Sequence, residues 1–140
     1  MIRFSRSEDY AVLLVNELAL NYEISRIPLS QIAKKYNISS LFLRNLANTL
    51  VHAGIIRGVE GKKGGYLLVK SPGELKLGEV LTVFSDKPML ECCSYGKHKN
   101  SCDKVDICPT GRVWRKLNKE FLDKVSNMTL AEFINYRHAA

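Results

Sequence analysis

Four cysteines are the residues best equipped for chemistry. Cys92, Cys93, Cys102 and Cys108 all fall within 17 positions of a 140-residue chain, and no cysteine lies elsewhere. In a reducing compartment, clustered thiols suit a metal site or a redox sensor better than disulfides. Cys93 and Cys102 are separated by eight residues, and Cys102 and Cys108 by five. This is not the tight pair of a zinc knuckle. Wide spacing on a loop suits wrapping a larger object such as an iron–sulfur cluster. On spacing alone, a zinc site, a thiol switch and unliganded reduced cysteines stay open. His98 lies in the same loop. It can ligate zinc or iron, although a lone loop histidine is ordinarily solvated.

A second set of residues suits a polyanion. Ser39, Ser40, Arg44, Asn45 and Asn48 occupy one short segment, and Lys62 and Lys63 lie in a glycine-rich turn soon after it. An arginine pairs with guanine and an asparagine with adenine through paired hydrogen bonds. Serine hydroxyls and free N–H groups at a helix start bind phosphate. Lysines at a turn contact phosphate or the minor groove. The bland reading of each is a solvated surface side chain.

Composition is compatible with both sets and excludes other classes. The net charge is +7. Residues 1–70 hold ten basic and five acidic side chains; residues 71–140 hold eleven and nine. A basic first half suits nucleic acid. No apolar run is long enough for a membrane span, and no apolar signal region follows Met1. A cytoplasmic protein with no membrane partner is expected. No nucleophile elbow, phosphate loop or paired-histidine zinc motif is present, so no enzyme is expected.

The elements that must position these residues are legible from periodicity. Ser7-Glu8-Asp9 reads as a helix start, and Tyr10, Leu14 and Leu18 continue an amphipathic helix to about Asn21. Pro28-Leu29-Ser30 opens a short helix that runs from Gln31 to Tyr36, with Asn37 as its stop. Ser39 or Ser40 caps a third helix that ends at Gly54. Its apolar residues are Leu41, Phe42, Leu43, Leu46, Ala47 and Leu50, with Ser40, Arg44, Asn45 and Asn48 on the other side. Two short helices with a polar face on the second make a helix-turn-helix. Residues 55–59 and 66–69 flank the Gly/Lys turn as a hairpin wing. Leu77 to Phe84 reads as a helix. Val113, Leu117, Phe121 and Val125 mark a long helix after Pro109, too apolar on one side to stand alone. Thr129 to Glu132 matches a capping box for a last helix. The expected fold is mainly α with a small β-hairpin wing. Residues 1–72 form the winged helix-turn-helix, 73–108 a connector helix and the cysteine loop, and 109–140 the long helix and the C-terminal helix.

Together these motifs resemble a known family. Ser7-x-x-Tyr10-Ala11-Val12, Pro28-Leu29-Ser30-x-Ile32-Ala33 and Ala53-Gly54-Ile55-Ile56 are joined by Gly61-x-x-Gly64-Gly65-Tyr66, the cysteine loop and Trp114. The chain is similar to the IscR/NsrR/CymR (Rrf-two) family of winged-helix transcription regulators. The resemblance implies a homodimer on a double-stranded DNA operator with two-fold symmetry, and the long helix would be its dimerisation helix. It implies a 2Fe-2S or 4Fe-4S cluster held by Cys102, Cys108 and either Cys93 or Cys92, with Cys93 preferred. One branch of the family has a histidine three residues after the last cysteine, where this chain has Gly111. Another uses an acid of the first helix given by the other subunit, and Asp9 matches that position. Glu8 and His98 are the alternatives. Some relatives carry an arginine in the wing where this chain has Glu60. The function implied is a repressor whose DNA affinity responds to iron–sulfur status, nitric oxide or redox state. A cluster-free thiol or zinc switch, or a regulator that docks on a metabolic enzyme, is the alternative.

Overall fold

The structure is a computed structural model, and it describes residues 4–84 and 107–139. Among these are six helices and one two-stranded sheet. Helices α1 (Arg6–Leu20), α2 (Leu29–Tyr36) and α3 (Ser40–His52) come first, followed by strands β1 (Ile56–Val59) and β2 (Gly65–Leu68). Helices α4 (Leu77–Leu81), α5 (Pro109–Asn127) and α6 (Leu130–Ala139) follow.

The cap of α1 is Ser5, two residues before the expected start. The Glu8 N–H donates to Ser5 Oγ at 3.2 Å, and the Ser5 N–H donates back to the Glu8 carboxylate. This capping box satisfies two end groups at once, so Ser7 lies inside the helix. The periodic residues Leu14 and Leu18 are buried with Ala11 and Val15. Asn37 ends α2 in the left-handed region at φ 52°, a conformation asparagine tolerates. Helix α4 is shorter than expected: it ends at Leu81 and continues as turn.

β1 and β2 pair antiparallel, with Ile56 opposite Leu68 and Arg57 opposite Leu67. Ile27 adds an edge bridge to Tyr66, with hydrogen bonds of 3.0 and 2.9 Å. Gly65 makes this approach close enough. A Cβ there would lie 2.8 Å from the Ile27 carbonyl carbon, and its φ is +155°. The core runs through this unit. Leu14, Ile32, Leu43, Leu50, Ile56 and Leu68 pack with Leu75, Val80 and Leu130 in one cluster. The connector is stitched to the last helix, because the Leu77 N–H donates to Met128 O and the Leu130 N–H to Leu75 O.

Candidate nucleic-acid interface and cysteine site

Helix α3 is held by its buried face and displays the other. Leu43, Leu46, Ala47 and Leu50 are buried. Ser40, Arg44, Asn45 and Asn48 are exposed. Ser39 is the cap, and its hydroxyl accepts from the Phe42 N–H at 3.4 Å. Leu41 departs from the expectation. It does not face the core with the other apolar residues but is 66% exposed beside the polar ones. The spacing 41, 44, 45, 48 is one helical stripe, and that signal was available in the sequence. An exposed leucine beside donors and acceptors is the kind of group that meets a thymine methyl.

Two contacts set the pose of this helix. The Phe42 ring meets the Tyr10 ring of α1 edge-on, with centroids 5.6 Å apart. Glu17 of α1 is buried and accepts from Lys35 Nζ at 2.9 and 3.0 Å and from the Tyr36 hydroxyl. Its carboxylate holds the Lys35 pKa above the usual lysine value. Because Lys35 and Tyr36 end α2, Glu17 fixes the helix pair at its turn. Sequence reasoning missed Glu17; an acid on the apolar side of an amphipathic helix was the available signal.

At the wing tip, Lys62 and Lys63 are exposed, as is Glu60. The turn is closed by the Gly64 N–H donating to Gly61 O at 2.9 Å. Thus α3 and the wing bring the predicted polar and basic residues onto exposed surface of one compact unit.

Of the predicted ligands, Cys108, Asp9 and Glu8 are described; Cys92, Cys93, His98 and Cys102 lie outside the described residues. Cys108 is the N-cap of α5, with Pro109 at the first position. Its Sγ lies 3.2 Å from Thr110 Oγ1. The Thr110 hydroxyl, followed by the Gly111 N–H, lowers the thiol pKa from its ordinary value; Arg115 adds a smaller pull. Cys108 is therefore biased toward thiolate, the form that ligates metal and reacts with oxidants. Gly111 is buried, and it has no side chain to ligate with. Asp9 is exposed on the first turn of α1, at the edge of an apolar cleft of about 300 Å³ lined by Phe4, Val12, Leu81, Phe121 and Phe133. Glu8 is buried and committed to the capping box. Among the described residues, no three His, Cys, Asp or Glu side chains gather as metal ligands.

The comparison with known proteins decides the family. The Rrf2 model, described as "Iron-dependent Transcriptional regulator", matches residues 4–136. The chain belongs to the Rrf2 family. It is 32% identical over 134 residues to the HTH-type transcriptional regulator IscR of Klebsiella pneumoniae, a match covering 96% of this chain and 80% of that protein. The solved structure of CymR, the global cysteine regulator of B. subtilis, superposes with TM-score 0.78 at 22% identity, covering 97% and 98% of the two chains. IscR of T. potens superposes with TM-score 0.72 at 25% identity, covering 96% and 88%. These neighbours establish the winged-helix fold. This Rrf2 chain is a DNA-binding transcriptional regulator, and its relatives are regulators rather than enzymes. Among the described residues no helix is long and apolar enough to cross a membrane.

Proposed function

We propose that this Rrf2 regulator is a dimeric cytoplasmic repressor. Its grip on a two-fold operator depends on whether the loop cysteines hold an iron–sulfur cluster. The observation that carries the proposal is the place of Cys108 at the N-cap of α5, with its Sγ 3.2 Å from Thr110 Oγ1, in a chain whose third helix and wing are exposed. Cys93, Cys102 and Cys108 would hold the cluster, with Cys92 as the spare thiol. Asp9 of the partner subunit would supply the fourth ligand. Glu8 is a poorer choice, since ligation would break the cap of α1. His98 is the remaining alternative. When bound, a 2Fe-2S or 4Fe-4S cluster supplies a centre that reacts with nitric oxide and oxidants.

The chain's own residues give the switch a physical route. Asp9, in the first turn of α1, is followed directly by Tyr10, and Tyr10 packs on Phe42 of α3. A pull on Asp9 is therefore one residue from the contact that orients α3. On DNA, Arg44 and Asn45 would read bases in the major groove. Asn48, Ser39 and Ser40 would add contacts from the same surface, while Lys62 and Lys63 would meet the phosphates. The apolar side of α5 fits dimerisation. Val113 is 56% exposed, Trp114 51% and Leu117 47%, whereas Phe121 and Val125 further along are half-buried. One protomer covers only the C-terminal half of that side.

A cluster-free thiol switch is the second reading, because the same lowered pKa makes Cys108 a reactive thiol. Anaerobic purification with iron, sulfide and zinc analysis separates the two. Matched iron and sulfide with a brown absorption spectrum is the expected result. Colourless protein that resists cluster reconstitution would overturn the cluster and leave the thiol or zinc switch.

A further inference from the structure

The wing sheet has a second face that the DNA-binding reading does not use. Ile56 and Leu68 point into the core, so the paired residues Arg57 and Leu67 point outward. The Ile27–Tyr66 bridge is antiparallel, which sets Arg26 opposite Leu67 on the other edge. Ile27 is buried, and its neighbour Arg26 therefore faces outward too. One row across the outer face thus reads arginine, leucine, arginine.

This row borders a cleft of about 500 Å³ between the 21–26 loop and β2. Leu18, Leu67 and Val69 give it apolar walls, while Arg26, Arg57 and Ser25 stand among its polar lining residues. Val69 is 52% exposed there. Both arginines are exposed, and among the described residues neither guanidinium has a hydrogen bond or ion pair. Glu23 also lines the cleft, but it too lacks an ion pair with either arginine among the described residues. The volume lies within the range of small-molecule sites. A guanidinium suits a carboxylate, which it binds through two parallel hydrogen bonds, and this cleft is lined by two of them. An apolar wall between them asks for an organic body on that carboxylate rather than a bare inorganic anion.

We propose that this cleft binds a small organic carboxylate with an apolar body. Its headgroup would meet the guanidiniums of Arg26 and Arg57 at the rim of the cleft, and its body would lie on the apolar wall of Leu67 and Val69. The inference stands apart from the cluster reading, since none of these residues belongs to that site.

Calorimetric titration of the full-length chain with phenylacetate tests it, with acetate and inorganic phosphate as controls. Saturable phenylacetate binding is expected, with acetate and phosphate weaker. The double variant Arg26→Ala, Arg57→Ala should weaken it about tenfold or more. Val69→Glu, which sets a carboxylate against the same wall, should weaken it by repulsion. Both arginines and Val69 are exposed, so circular dichroism should match the parent chain. Three results would overturn the proposal. One is no saturation with phenylacetate. Another is phosphate binding as tightly as phenylacetate. The third is an unchanged phenylacetate affinity in the double variant; a flatter salt dependence of its DNA binding would then give the guanidiniums to DNA phosphates.

Discussion

On the proposed operator, Arg44 and Lys63 would carry the same charge into different tasks. Arg44 is exposed on the first half of α3, where a groove-docked helix meets base edges. Lys63 is exposed on a turn, where a flexible ammonium meets phosphate without reading sequence. Arg44→Ala should therefore cost about 1–3 kcal/mol on the best operator and much less on random DNA. Lys63→Ala should weaken both alike and reduce the slope of log affinity against log salt by about one. Binding isotherms on both DNAs at several salt concentrations check this. Equal losses on both DNAs from Arg44→Ala would make Arg44 a positioning contact. Most of this surface was legible from residue types and spacing. Leu41 was not, because apolar character was weighed above its place on the polar stripe. Glu17 escaped as well, since its burial depends on Lys35 and Tyr36, which lie 18 and 19 residues away.

At the scale of the element, helix ends show what sequence reading can and cannot do. Thr129 to Glu132 forms the expected box. The Glu132 N–H donates to Thr129 Oγ1 at 3.2 Å, and the Thr129 N–H donates to the Glu132 carboxylate at 2.7 Å. At α1 two serines compete for the cap, and Ser5 wins because Glu8 lies three residues on and can return the bond. The Thr129 N–H, then its hydroxyl, holds the Glu132 pKa below its ordinary value. The sign of the linkage follows. A carboxylate with a depressed folded pKa gives stability that is present above its unfolded pKa and is lost as pH falls through the folded value. Thermal melts of the parent chain and Glu132→Gln should therefore differ at neutral pH and converge in acid. A constant gap across that range would mean the charge has no part in the cap. At α3 Ser39 and Ser40 compete in the same way and Ser39 takes the cap, while each wing strand differs from its expected span by one residue, β1 starting at Ile56 and β2 running from Gly65 to Leu68. Helix α4 was overextended because the apolar pattern continues through Val83 and Phe84 into a turn.

At the scale of the whole molecule, the unresolved demand is the apolar side of α5. Val113 and Trp114 are exposed in a single chain, and a row of exposed apolar side chains marks a surface that a partner covers. The sequence announced this through an apolar excess at spacing four, but a period cannot say what covers it. The cleft that holds Asp9 adds the second half of the argument. Its walls come from the N-terminal segment, α1, α4, α5 and α6, so a partner seated there would touch the DNA-binding unit directly. In the proposed dimer, self-association and operator reading would then be linked, because two half-sites are bridged only while the two reading helices keep a fixed separation. Trp114→Asp places a charge at the centre of that row while leaving the buried core untouched. Sedimentation should show the parent chain as a dimer and the variant as a monomer of unchanged helical content. The variant's affinity for a full two-fold operator should fall toward that for a single half-site. If it stays dimeric and keeps full operator affinity, the row on α5 is not the interface, and the apolar cleft beside Asp9 is the next surface to carry a charge-introducing substitution.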